Sequence, residues 1–226
     1  MSDTRVVTPQ EQFEQHLLEK NMRAQELCYE FNMTHPTKTQ MRDKVLRKLI
    51  SHVGENVRVV SPFYCGYGHN ITIDDDVYIN LGATFLDDAK IVIGKRVVIG
   101  PHCNIYTVAH DKLYLRRDTN YVAPVVIEDD VWIGGNVTIL KGVTIGRGSV
   151  IAAGALIRSD IPPMTLAYSS KFRDWEPIVS PNWHNNMYVA KAAAAYEDLE
   201  FLKTLSPALQ EHCRECFEQL HPKSED

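Results

Sequence analysis

Large apolar residues recur along the middle of this chain at an interval of six: Ile73, Ile79 and Phe85; Ile93, Ile99 and Ile105; then Ile127, Ile133, Ile139, Ile145, Ile151 and Ile157. Four residues after most of them stands a small or β-branched side chain: Val77, Ala83, Val97, Cys103, Ala109, Val131, Val137, Val143, Ser149 and Ala155. A straight strand alternates every two residues and a helix repeats every 3.6, so neither yields paired inward positions at a spacing of six. Three short strands per triangular turn do. The stretch from Ile73 to Asp160 is therefore expected to wind into a parallel β-helix, mainly β in class, that is stable only as a stack of turns. Gly94, Gly100, Gly134 and Gly146 each follow an inward isoleucine, where glycine is expected to supply the backbone angles of the bend.

The rhythm breaks twice. From Phe85 to Ile93 the step is eight, which implies two extra residues bulging near Asp87 and Asp88. Between Ile105 and Ile127 there are about ten residues more than two repeats need, so a loop over residues 111–124 is expected to leave the coil just after His110. Insertions in repeat proteins map to surface loops and often to the binding face, so chemistry is sought at these two breaks.

Outside the coil the periodicity is helical. Thr8, Pro9 and Glu11 have the spacing of an N-cap, a first-turn proline and a capping-box acid, and Phe13, Leu17, Ala24 and Leu27 follow on one face. A second helix is expected over residues 38–52, with Met41, Val45, Leu46, Leu49 and Ile50 as its apolar stripe. The pair is expected to cap one end of the coil. After Pro162 and Pro163 the repeat stops, and a helical tail follows from about Asn186, its last stripe formed by Leu209, Cys213, Cys216, Phe217 and Leu220. The organisation read from the chain is thus a helical segment over 1–55, the β-helix over 56–165 and a largely helical extension over 166–226.

Composition narrows the function. The net charge is -5 over 226 residues with both signs dispersed, so no basic stripe is present to follow a nucleic-acid backbone. No run approaches the apolar length that spans a bilayer, and a soluble cytoplasmic protein is expected. Five scattered cysteines do not form a secreted disulfide framework, and Cys213 with Cys216 lacks the second ligand pair of a zinc site.

The segments Tyr29-Glu-Phe-Asn, His35-Pro, Val53-Gly-Glu-Asn-Val, Pro62-Phe-Tyr-Cys-Gly-Tyr-Gly, Val77-Tyr-Ile-Asn, Leu86-Asp-Asp, Ile105-Tyr-Thr-Val-Ala-His, Val131-Trp-Ile-Gly-Gly and Asp160-Ile-Pro-Pro together resemble the maltose and galactoside O-acetyltransferases. The resemblance covers nearly everything from Leu17 to Pro163. It implies a homotrimer of left-handed β-helices, with acetyl-CoA as co-substrate in the cleft between coils and a sugar acceptor beside a catalytic histidine. The left hand comes from the family alone, because the general crossover rule gives the opposite hand.

Moving an acetyl group from a thioester to a hydroxyl needs a base for the hydroxyl proton and a donor for the tetrahedral oxyanion. His110 matches the family's catalytic base. It follows the inward Ala109 and so is expected to point out of the coil at the root of the loop, and histidine is the side chain whose ordinary pKa suits this task near neutrality. Asn80 and Asp88 match the family's acceptor-binding residues; Gly66 falls at a third such position, where only its backbone can act, and Tyr78 is a candidate for the same pocket. On the CoA side the resemblance assigns the N–H of Gly135 to the thiol region and the backbone of Ala153 to the pantetheine arm. Trp132 either covers that arm or fills the trimer interface. Arg158 and Arg173 are placed for the nucleotide phosphates, where a guanidinium fork suits phosphate oxygens.

The chain departs from the family pattern at Arg158-Ser159, where threonine then lysine is usual, at Ser169–Arg173, where a Gly-x-Pro segment is usual, and at Gln12, where an acidic acceptor contact is usual. Three rival readings follow from the same residues. A γ-type carbonic anhydrase needs three histidines on zinc, and only His102 and His110 lie within the repeats, so no metal is expected. A xenobiotic acetyltransferase shares the histidine and loop, and a non-enzymatic scaffold would use only the coil and its tail.

Overall fold

The computed structural model describes residues 5–7, 15–168 and 175–177, together with Lys203, Pro207, Gln210, Glu211 and Arg214. The capping-box residues Thr8–Glu11, Gln12, the Ser169–Arg173 segment and the Cys213–Cys216 pair lie outside the described residues, as does most of the expected tail helix.

Three parallel sheets form the sides of a triangular coil. The first face stacks His52–Val53, Ile71–Ile73, Ile91–Ile93, Val125–Ile127 and Thr144–Ile145, with Ile161 bridging onto the last strand. The second stacks Arg58–Val59, Tyr78–Ile79, Val98–Ile99, Trp132–Ile133, Val150–Ile151 and Thr165–Ala167, and closes with Trp175–Pro177 running antiparallel. The third stacks Phe63–Cys65, Ala83–Leu86, Asn104–Tyr106, Thr138–Ile139 and Leu156–Ile157.

Register turns the sequence period into continuous ladders. Ile73 pairs with Ile93, Ile93 with Ile127 and Ile127 with Ile145 on the first face; Ile79, Ile99, Ile133 and Ile151 align on the second; Phe85, Ile105, Ile139 and Ile157 align on the third. All of these are buried. The coil also begins a full turn before the regular isoleucine period does, because Val53, Val59 and Cys65 occupy the same three inward columns beneath Ile73, Ile79 and Phe85.

The corner glycines act differently from expectation. Gly94, Gly100, Gly134 and Gly146 do not have positive φ; they are sites of close approach. A Cβ on Gly134 would lie 2.6 Å from the Ala153 nitrogen, and one on Gly146 would lie 2.4 Å from the Pro163 nitrogen. Left-handed backbone is used instead at the next corner positions, in part by non-glycine residues such as Asn56, Asp76, Arg96 and Asp130, which form one vertical row.

Two helices close the lower end. α1, Gln15–Met33, lies against the edge strand Phe63–Cys65, and Asn32 completes that edge: its Nδ2 donates to the Phe63 carbonyl and its Oδ1 accepts from the Phe63 N–H. α2, Thr39–Leu49, buries Val45, Leu46 and Leu49 over the first turn, while Arg47 donates to the carbonyls of Val53 and Gly54. Among the described residues no helix is long and apolar enough to cross a membrane.

Candidate active site

Both breaks in the repeat fall on the corner between the third and first faces. The eight-residue step is a stacked feature, since Cys65 to Ile73 repeats it one turn below Phe85 to Ile93. Asp87 locks the two bulges together. Its carboxylate is fully buried and accepts from the N–H groups of Tyr67, at 2.8 Å, and Asn70, at 3.3 Å, while the Asn70 side chain donates to its carbonyl. Burial pushes the Asp87 carboxyl up to about 6, against the pull of those N–H groups. Thr107 fastens the bulge to the turn above: its Oγ1 donates to the Leu86 carbonyl and accepts from the Ala89 N–H.

The expected loop is a β-hairpin at its root. Val108–His110 pairs antiparallel with Asn120–Val122, and Arg5–Val7 adds a third strand on the far side of Asn120–Val122. Neither pairing was predicted from the sequence. The short strand Arg5–Val7 has no local partner, and its only described pairing crosses more than a hundred residues of chain. Ile105 on the third face is also followed directly by Ile127 on the first, so the 22-residue step is a single corner rather than two repeats with ten residues added. Thr107, not Ala109, is the last inward residue; Ala109 is exposed because the strand has already left the coil. His110 is exposed too. Just beyond it, Asp111 accepts from the Leu113 N–H and from the Tyr121 hydroxyl, which pins the hairpin.

His110 stands directly opposite Asn120 in register, so their side chains lie on one face of the hairpin, and alternation places Val122 on that face as well. Asn120 and Val122 meet Asp88, Tyr67, His69 and Asn70 around a cavity of about 80 Å³, closed by Leu17 of α1. Asp88 is half-buried, and burial raises its carboxyl above the usual range, opposed by its own backbone N–H and by the charge of His110. The Tyr67 hydroxyl is raised by burial and by Asp88 and Asp87, and His69 is lowered by burial and by Lys20. Tyr67, His69, Asn70 and Asn120 were not singled out from the sequence. The signal for the first three was present in the second eight-residue step; for Asn120 there was none, because its place depends on the hairpin.

The other expected residues sit elsewhere on the prism. Gly66 is on the same corner as Asp88, but its carbonyl accepts from the Asn21 side chain and its N–H donates to Phe85. Arg158 and Ser159 lie higher on that corner, Arg158 exposed and Ser159 half-buried. Asn80, Gly135 and Ala153 lie on the corner between the second and third faces. Asn80 folds its Oδ1 back onto the Leu81 N–H and does not line the cavity. The Gly135 N–H has no acceptor among the described residues, and its carbonyl accepts from Gly154 one turn above. On the outer side of the second face, Trp132 is 48% exposed, stacked between Val98 and Val150, and the Arg58 guanidinium lies 5.7 Å from the centre of the Tyr78 ring. His102 belongs to the Asn80 corner, its ring packed over Gly82, and among the described residues no three metal-ligating side chains converge. Arg173 lies outside the described residues.

Two groups of candidates thus occupy two corners separated by one face, a span of about 15 Å for a strand of four or five residues. Within one chain they cannot meet.

Comparison with known proteins identifies the family. Residues 12–54 match the maltose acetyltransferase hexapeptide capping motif, and residues 124–159 match the bacterial transferase hexapeptide repeats. The galactoside O-acetyltransferase of Escherichia coli is 40% identical over 153 residues, which is 67% of this chain and 75% of that protein. A galactoside acetyltransferase in complex with coenzyme A superimposes with a TM-score of 0.69 at 35% identity, covering 73% of this chain and 82% of that one. The hexapeptide-repeat acetyltransferase VCA0836 of Vibrio cholerae, complexed with acetyl coenzyme A, does so with a TM-score of 0.68 at 37% identity, covering 75% and 91%. With its helical cap, its ladders of six and its 40% identity to the Escherichia coli galactoside O-acetyltransferase, the chain belongs to the maltose and galactoside O-acetyltransferase family of hexapeptide-repeat acyltransferases.

Proposed function

We propose that this protein transfers the acetyl group of acetyl-CoA to a hydroxyl of a sugar or similar small alcohol, in a site shared by neighbouring subunits of a cytoplasmic homotrimer. The observation that carries the reading is the division of the candidates between two corners. His110 and the Asp88 cavity lie on one, and the Gly135 N–H, which has no acceptor among the described residues, lies on the other. A neighbouring copy that sets its corner between the second and third faces against this chain's corner between the third and first faces would bring the two halves together.

In that arrangement the acceptor hydroxyl lies within reach of His110. The imidazole takes the hydroxyl proton as the oxygen attacks the thioester carbonyl, and the Gly135 N–H donates to the oxyanion that forms. Collapse of the tetrahedral intermediate breaks the carbon–sulfur bond, and the CoA thiolate recovers the proton from His110. Asp88 and Asn80 hold acceptor hydroxyls, with Gly66 and Tyr78 at the edge of the pocket. Trp132 and Ala153 follow the pantetheine arm, and Arg158, Ser159 and Arg173 meet the phosphates. No metal enters the chemistry.

The test is His110→Ala with acetyl-CoA and a panel containing a methyl galactoside, a methyl glucoside and maltose, following release of free thiol. Transfer is expected to fall about 100-fold or more, with the sedimentation of the assembly unchanged. Unchanged transfer removes His110 from the mechanism. A wild-type protein that acetylates none of the panel favours a scaffold instead.

A further inference from the structure

Among the described residues one buried side-chain oxygen or nitrogen has no hydrogen-bond partner, and it is Oδ1 of Asn120. Folded proteins pair nearly all such atoms with protein or water, so an exception calls for a partner from outside the chain or for an explanation in strain. This one sits in the wall of the Asp88 cavity and on the hairpin face of His110. We propose that Asn120 determines acceptor specificity: its side-chain carbonyl takes a hydrogen bond from a hydroxyl of the bound sugar or alcohol, beside the hydroxyl held by Asp88.

The proposal rests on the acetyl-transfer reading and deepens it. The cavity of about 80 Å³ is small beside the several hundred Å³ of a pocket that encloses a whole ligand. It therefore takes one polar edge of a small molecule and leaves the rest in the cleft. Its wall includes two acceptors, the Asp88 carboxylate and the Asn120 carbonyl, beside the Tyr67 hydroxyl and the His69 ring, with no arginine or lysine among the lining residues. Lys20 acts on it only from nearby, through His69. A ligand edge that matches must bring donors for these two acceptors and can accept in turn, as two hydroxyls on neighbouring carbons do, and an anionic edge finds no arginine or lysine there. Because Asn120 and His110 are register partners, the hydroxyl bound by Asn120 also fixes which neighbouring hydroxyl meets the imidazole.

Asn120→Leu tests this. The variant keeps the side chain's approximate size and removes the unpaired oxygen. With whichever methyl glycoside the wild-type protein acetylates, the acceptor KM is expected to rise about tenfold, with the KM for acetyl-CoA unchanged and the melting temperature unchanged or higher. Monodeoxy versions of that glycoside locate the contact: the one lacking the paired hydroxyl should lose about tenfold in kcat/KM with wild type and nothing further with Asn120→Leu. An unchanged acceptor KM in Asn120→Leu overturns the inference while leaving acetyl transfer intact. So does a lower melting temperature with equal losses on every deoxy analogue, which would make Asn120 a structural residue. A wild-type protein that acetylates no sugar overturns the acetyl-transfer reading and this one with it.

Discussion

Asp87 should make the stability of this protein fall as pH rises through the mildly acidic range. Its carboxylate is buried between the two stacked bulges, and burial holds its pKa at about 6 against an ordinary 3.8. The folded state therefore binds the proton more tightly than the unfolded chain does. The contribution is fully present below about 3.8, where both states are protonated, and is lost as pH rises through about 6. A shift of about two units at 1.36 kcal/mol each amounts to about 3 kcal/mol. Other carboxylates act in the opposite sense, Asp75 and Asp111 among them, since hydrogen bonds hold them below their usual range. The raw pH profile thus mixes signs, and the useful quantity is the difference between wild type and Asp87→Asn. Urea unfolding at fixed protein concentration, from about pH 4 to about pH 7, should show the stability of wild type relative to the variant falling by about 2–3 kcal/mol. A difference that stays flat across this window would refute the argument that the buried carboxylate is held against its charge.

Two further predictions concern the coil itself. Ile99→Ala, in the ladder between Ile79 and Ile133, should cost about 2–5 kcal/mol in urea unfolding, because neighbouring turns cannot collapse into the gap. Gly134→Ala should destabilise the stack by several times more than Gly154→Ala. The first puts a Cβ 2.6 Å from the Ala153 nitrogen, whereas the second meets nothing within 4 Å and pays only the roughly 1 kcal/mol of a left-handed alanine. Comparable costs for the two would show that backbone angle, not contact between turns, sets the glycine requirement.

The coil was legible because one spacing encodes it: a column such as Ile93–Ile127–Ile145 is written into the sequence at every rung. The bulge at Asp88 was legible for the same reason, as a departure from a regular count. What escaped was non-local. Val53, Val59 and Cys65 continue the columns with smaller residues and so did not stand out. The hairpin of Val108–His110 and Asn120–Val122 depends on antiparallel pairing that no period announces, and with it went Asn120 and the true position of Ala109. Sequence motifs named His110, Asp88 and Gly135 individually. Only the fold sets Gly135 on a different corner of the prism from His110 and Asp88, because a corner is a property of the winding and not of any local segment.

The hairpin leaves the ladders untouched. Ile105 pairs with Ile139 and Ile93 with Ile127 as though the intervening excursion did not exist, and each turn contacts only the turns beside it. Length and composition between Asp111 and Asn120 can therefore change without altering the register of the core. On the proposed reading, the share of the acceptor site that the excursion supplies, Asn120 and His110, is open to rewriting without cost to the stack, whereas Asp88 and Asn80 stay tied to the turns that carry the fold.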